Sequence, residues 1–182
     1  MKLLVAAPIG EGRSLDLWAA ATSGYDRVAA IDQPIGAQLE TYGIPYIEFS
    51  YDGEIPDWSR HPICSEKFNV AWEAILDYAE AGGYTHVLSF ESDIVADTDI
   101  VALMVENFHE DDEIVRHAYP RGPEYNRPDS KASEMGCTMG TVAGFRKALK
   151  EARSRDNRLY GAVMWGKTIK TRVIDVAELQ HL

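Results

Sequence analysis

The sequence predicts an α/β fold: a mostly parallel central sheet flanked by helices, in a single Rossmann-like domain. Three observations carry this reading. Short apolar runs rich in Val, Ile, Leu and Ala alternate with amphipathic stretches through the first half of the chain. Those runs are continuous, as strands buried in a sheet are, and they are closed by Gly, Pro or Asp. The chain is 182 residues long, 46% hydrophobic and 26% charged, which suits one core, and it has no repeat, low-complexity tract or linker.

Residues 2–7 read as the first strand, broken by Pro8-Ile9-Gly10-Glu11-Gly12. Residues 14–23 read as a helix with Leu15, Trp18, Ala19 and Thr22 on one face. A second strand over 27–31 ends at Asp32, and a short helix over 36–42 leads to a third strand over 44–49. Residues 50–62 form a polar loop. The strongest helix is 65–81, where Phe68, Ala71, Trp72, Ile75, Leu76 and Ala79 recur at helical spacing and Gly82-Gly83 stops it. The strand beginning at Thr85 ends in Glu91-Ser92-Asp93, and a helix is expected from about 97 to 109.

The second half is less regular. Residues 114–119 look like a strand, and 120–133 like a long loop carrying Arg121, Arg127 and Lys131. Long loops in compact domains tend to be functional. Residues 135–145 hold Gly136, Gly140 and Gly144, which allow close approach of backbone to a ligand or a tight turn. Residues 146–153 and 158–165 suit helices, and 171–176 a last strand before His181. The Glu110-Asp111-Asp112-Glu113 run reads as a solvated turn, and His61, His86, His109 and His117 show no metal-ligand spacing. Trp18 and Trp72 fit core faces, and core packing is the simpler reading of Tyr160 and Trp165.

The net charge of −11 and pI near 4.8 argue against a broad surface for nucleic-acid backbone and make duplex DNA a less favoured partner, without removing a local basic groove. The two cysteines, Cys64 and Cys137, are far apart and form no CxxC pair, which points to a reduced, cytoplasmic chain. The N-terminal apolar run is too short for a signal peptide, and no segment has the roughly 20 apolar residues of a membrane span.

Ligands of open α/β sheets bind outside the carboxyl ends of the strands. Pro8, Asp32 and the Glu91-Ser92-Asp93 step all follow predicted strands. Asp32 is a candidate acceptor for the base or ribose of a nucleotide, or the start of the Asp32-Gln33-Pro34 turn. Glu91 and Asp93 share a side if the chain stays extended, and their hard oxygens suit Mg²⁺ or Mn²⁺ shared with substrate phosphates. Otherwise Asp93 caps the next segment and Glu91 is solvated.

These segments, taken together, resemble the family 2 glycosyltransferases and their relatives with the A-type, nucleotide-diphospho-sugar transferase fold. The first strand with Pro8 and the second with Asp32 resemble the family's nucleotide-binding strands. Glu66-Lys67-Phe68-Asn69 resembles its basic-residue and Asn segment, which implies Lys67 and Asn69 as substrate-binding residues. Val87-Leu88-Ser89-Phe90-Glu91-Ser92-Asp93 resembles the Asp-x-Asp motif, with Glu91 in place of the first Asp. The run from Met135 through Gly136 and Cys137 to Arg146 resembles the glycine-bearing segment along the sugar and acceptor pocket. Gly166-Lys167-Thr168-Ile169 resembles the step into the late strand, and the ending at His181 resembles a C-terminal metal-ligand histidine.

The resemblance implies a nucleotide-binding half over 1–93 and an acceptor-side half over 94–182. It implies a metal set of Asp93, Glu91 and His181 with Mn²⁺ or Mg²⁺. The family's Glu-Asp base step corresponds here to Arg155-Asp156, so Asp156 is one candidate base, or the N-cap of the next helix, and Glu134 is a second. The function expected is transfer of a sugar from a nucleotide-diphosphate donor to an acceptor hydroxyl. A nucleotidyltransferase of similar fold is the alternative, although Glu11 sits in the loop that would hold a triphosphate. A non-catalytic nucleotide-sugar-binding module is the other.

Overall fold

The computed structural model describes residues 1–10, 14–52, 63–120, 131–132, 136–155, 159, 162–163 and 167–181, with the side chains of 63–65, 119–120, 131–132 and 181 outside that description. Seven strands form the central sheet: β1 (Leu3–Pro8), β2 (Arg27–Ile31), β3 (Tyr46–Glu48), β4 (His86–Phe90), β6 (Ile114–His117), β9 (Cys137–Thr141) and β10 (Thr171–Ile174). They lie in the order β10-β6-β9-β4-β1-β2-β3. β1 pairs in parallel with both β2 and β4, and β2 with β3. β9 runs antiparallel between β4 and β6, and β10 pairs in parallel with β6. The sheet is therefore mostly parallel with one reversed strand, as expected of the fold class.

Helices α1 (Leu15–Ala21), α2 (Gly36–Thr41), α3 (Ile63–Ala81), α4 (Ile100–Glu106) and α5 (Val142–Ser154) accompany the sheet. The alternation of side chains along the strands separates two cores. Val5, Ala7, Leu88, Phe90 and Met139 pack with α1, α2 and α4 residues such as Trp18, Leu39 and Met104. Leu4, Ala6, Val87 and Ile114 pack with Trp72, Ile75 and Leu76 of α3 and Phe145 and Leu149 of α5. Trp72 and Phe145 stack with centroids 5.3 Å apart, which locks α3 to α5. Gly83, at φ +69°, ends α3 one residue beyond the expected double glycine's start, in a conformation that disfavours any Cβ.

Three elements differ from the sequence expectation. Residues 94–96 are a strand, β5 (Ile94–Ala96), and not the lead into a helix; α4 starts only at Ile100, capped by Asp99, whose Oδ1 accepts from Ala102 N at 3.0 Å. β5 pairs antiparallel with β11 (Leu179–His181) in a separate two-stranded ribbon. From Cys137 on, the glycine-bearing segment is the buried strand β9 and the start of α5. A Cβ on Gly144 would meet the Glu113 carbonyl oxygen at 2.8 Å, and one on Gly140 would meet the same oxygen at 3.0 Å. These glycines let β9 and α5 approach the start of β6. A further short pair, β7 (Tyr119–Pro120) with β8 (Lys131–Ala132), lies where the sequence expectation has only a loop over 120–133.

The acidic turn before β6 is also not simply solvated. Asp112 is buried and paired with Arg172 at 2.6 Å. The Arg172 guanidinium holds the Asp112 carboxyl below its usual range. Glu113 accepts from Lys147 Nζ at 2.8 Å and from the Lys170 backbone N–H at 2.6 Å, and the Lys147 bond lowers its carboxyl likewise. The turn joins α5, β6 and β10.

Candidate active site

β4, β1 and β2 are neighbours, so their carboxyl ends bring Glu91, Pro8-Ile9 and Asp32 to one edge. With strands about 4.8 Å apart, the ends of β4 and β2 lie two strand spacings, about 10 Å, apart across β1. The edge is held from below. Ile9 N donates to Ala30 O at 2.9 Å, and Phe49 N to Ile31 O at 3.0 Å. Trp18 Nε1 donates to Phe90 O at 2.6 Å, fixing α1 to the last residue of β4. The tryptophan is thus core, as its spacing suggests, and also a brace one residue before Glu91.

Lys67, in the first turns of α3, forms an ion pair with Asp32. The side chains are 24% and 13% exposed, so the pair is partly shielded but open to the edge. The first turns of α3 therefore deliver a cation to the acid after β2. Asn69 is placed differently from the sequence reading. It is buried, its Oδ1 accepts from Leu159 N at 2.7 Å, and its Nδ2 lies 3.4 Å from Glu66 Oε2. Its amide ties α3 to the segment after α5 and faces the interior, not the edge.

Glu91 and Asp93 are both half-buried. Glu91 N donates to Gly136 O at 2.9 Å, which puts Gly136 beside the acid step, and Ile94 N donates to Glu91 O at 3.2 Å. Cys137, opposite Phe90 in the register, is fully buried. Burial, and secondarily the charge of Glu91, push its thiol well above the usual range, so it is an inert core thiol and not a pocket-lining group. Among the strands, β11 pairs with β5 so that His181 lies opposite Ile94, one residue from Asp93.

Asp156 and Glu134 lie outside the described residues, as do Arg121 and Arg127, while Lys131 and His181 are described in backbone only. Among the described residues no three His, Cys, Asp or Glu side chains cluster closely enough to hold a metal by themselves. The Ile94–Glu91 bond closes a turn at 91–94, so the step is not extended and strand alternation does not set the two carboxylates on one side; their hard oxygens still suit a Mg²⁺ or Mn²⁺ completed by substrate oxygens, the usual mode for these ions.

No family model matches the sequence, and no curated protein does. Solved structures are similar at low identity. A mannose-1-phosphate geranyltransferase of Thermus thermophilus matches over 99% of this chain and 76% of its own, with 14% identity and a TM-score of 0.60. A putative glucose-1-phosphate thymidylyltransferase of Bacillus anthracis matches over 100% and 89%, with 9% identity and a TM-score of 0.59. A cytidylyltransferase of Leptospira borgpetersenii serovar Hardjo-bovis matches over 97% and 76%, with 14% identity and a TM-score of 0.58. The chain shares its α/β fold with these three structures.

The fold engages one residue that the sequence pattern does not mark. His117 ends β6 fully buried and bonds the backbone of Val176 and Ala177. No sequence signal marks it, because its partners are 59 and 60 positions away. His86, in contrast, is half-buried against Phe108 at 5.0 Å, and burial lowers its imidazole below the usual range, in keeping with a structural part. Among the described residues no helix is long and apolar enough to cross a membrane.

Proposed function

We propose that the chain is a divalent-cation-dependent glycosyltransferase acting on a nucleotide-diphospho-sugar at the carboxyl edge of β4, β1 and β2. The observation that carries this reading is the β5–β11 register, which sets His181 opposite Ile94 beside the Glu91-Ser92-Asp93 step. The acid step after β4 and the histidine of β11 are thereby neighbours in the backbone.

In this reading Asp32 accepts from the base or ribose, with Lys67 keeping its charge partnered until the nucleotide enters. Pro8 and Ile9 floor the nucleotide, and Gly136, beside Glu91, borders the sugar. Asp93, Glu91 and His181 would hold Mg²⁺ or Mn²⁺. Such an ion supplies neutralisation of the charge that grows on a departing diphosphate. The acceptor hydroxyl oxygen bonds to the anomeric carbon as the bond from that carbon to the diphosphate oxygen breaks. The hydroxyl proton passes to a base, for which Asp156 and Glu134 are the candidates. The nucleoside diphosphate leaves with its electron pair.

A second reading, nucleotidyl transfer, is favoured by a different observation: the three similar solved structures named above include a thymidylyltransferase and a cytidylyltransferase. There a sugar-phosphate oxygen attacks the α-phosphorus of a nucleoside triphosphate and pyrophosphate leaves. One paired assay separates the two. The protein is incubated with Mn²⁺ and either nucleotide-diphospho-sugars or a nucleoside triphosphate with a sugar 1-phosphate. Nucleoside diphosphate release from the first, lost in Asp93→Ala, supports glycosyl transfer. Pyrophosphate release from the second alone replaces it with nucleotidyl transfer, and binding without turnover in either leaves a nucleotide-sugar-binding module.

A further inference from the structure

The imidazole of His117 is engaged at both nitrogens. Nδ1 lies 2.6 Å from the carbonyl oxygen of Ala118, which can only accept, so Nδ1 carries the proton and donates. Nε2 lies 3.1 Å from the backbone nitrogens of both Val176 and Ala177, which can only donate, so Nε2 accepts from two N–H groups. A histidine meets both demands only as the neutral Nδ1–H tautomer.

The two amides belong to the turn between β10 and β11. The same corner is tied once more by Ala118 N donating to Ile174 O at 2.8 Å. From this turn the chain runs back as β11, antiparallel to β5, and reaches His181 opposite Ile94. β5 and β11 have three residues each and form a two-stranded sheet of their own. So short a ribbon has little stability by itself, and its position is set by what anchors its ends. One end is Asp93; the other is the turn that the His117 ring holds.

We propose that His117 is a positioning residue: as the acceptor for Val176 and Ala177 it sets the β10–β11 turn, so that the β5–β11 ribbon closes with His181 beside Asp93. The consequence for cation binding rests on the reading of Asp93 and His181 given above; the consequence for the ribbon does not.

Two substitutions separate the acceptor from the bulk of the ring. His117→Gln places an amide oxygen near the Nε2 position and restores an acceptor for the two N–H groups. His117→Asn reaches only the Nδ1 position and leaves that acceptor missing. Amide hydrogen exchange by NMR reads residues 94–96 and 176–181, and Mn²⁺ paramagnetic resonance with uridine diphosphate present reads the cation. In His117→Asn we expect exchange in both segments to quicken by about tenfold or more, the effect of removing the acceptor that ties the turn to β6. Mn²⁺ affinity should fall by about 10–100-fold, as when a ligand-orienting partner is lost. Exchange in β1 and β4 should hold at wild-type rates, and His117→Gln should be close to wild type in every readout.

An Asn variant with wild-type ribbon exchange overturns the proposal, and so does a Gln variant as impaired as Asn, since the ring would then act through its volume alone. If the wild type binds no Mn²⁺ while the Asn variant still frees the ribbon, the cation reading falls and the positioning role stands. The wild type supplies a check that needs no variant to fold: the ring ¹⁵N spectrum should show the Nδ1–H tautomer, and an Nε2–H tautomer contradicts the assignment.

Discussion

β1, β2, β3 and β4 run parallel, and the acids that follow β2 and β4 stand at one edge. On the other side of β4, β9 enters antiparallel, β6 and β10 lie beyond it, and the returning β11 leaves the main sheet to pair with β5. The first region is made of strands whose direction puts their last residues where a ligand binds. The second is made of contacts between distant residues, and its charged groups mostly serve packing: Asp112 holds Arg172, Glu113 holds Lys147 and Lys170, and Glu151 accepts from the Lys167 backbone N–H at 3.3 Å. An acid in the parallel region is therefore a candidate for ligand work, while an acid in the mixed region is more often a fastener.

The largest stability effect should come where the two regions lock. Phe145→Ala removes the ring stacked on Trp72 and should cost about 3–5 kcal/mol in urea unfolding. A cost below about 1 kcal/mol would mean that α3 and α5 are not the joint between the regions. Next comes Gly144→Ala, whose new Cβ meets the Glu113 carbonyl oxygen at 2.8 Å. It should cost about 1–3 kcal/mol by overpacking; a neutral result would show that α5 can move off the acidic turn. Thr141→Ala removes the N-cap of α5, where Oγ1 accepts from Gly144 N at 2.9 Å, and should cost about 1 kcal/mol in the same assay.

The smallest effect should be in pH. The carboxyl of Glu113 is lowered from its ordinary 4.5, chiefly by Lys147 and then by the Lys170 N–H. A lowered folded-state pKa gives stability that is present above the ordinary value and is lost as pH falls through the lower folded value. Glu113→Gln should therefore flatten the acid limb of stability against pH as pH falls from 4.5 through the lower folded value. An unchanged limb would mean that the turn is solvated after all.

What the sequence disclosed follows the same division. The apolar runs, the periodicity of α3 and the double glycine after it mark the parallel region, because strand burial and helix amphipathicity are local patterns. Asp32 and the Glu91–Asp93 step were legible as strand ends for the same reason. β5 and β11 were not, since three-residue strands have no periodicity, and their pairing joins residues far apart in sequence. At Gly140 and Gly144 the glycines signal close backbone approach without saying to what; here the neighbour is the Glu113 carbonyl. Cys137 and Asn69 were read as site residues from their neighbours in sequence, but strand alternation and the helix face turn both side chains inward. His117 was passed over because histidine spacing in sequence is a guide to local metal motifs, and this ring bonds across the fold.

The central claim is that the edge at Asp93 binds a divalent cation together with a nucleoside diphosphate. Crystals grown with Mn²⁺ and uridine, guanosine or thymidine diphosphate test it directly through the anomalous signal of the metal. One Mn²⁺ should lie within bonding distance of the Asp93 carboxylate and of the diphosphate oxygens, with the nucleoside toward Asp32. A nucleotide bound at that edge with no metal at Asp93, or Mn²⁺ ordered only elsewhere, would contradict it.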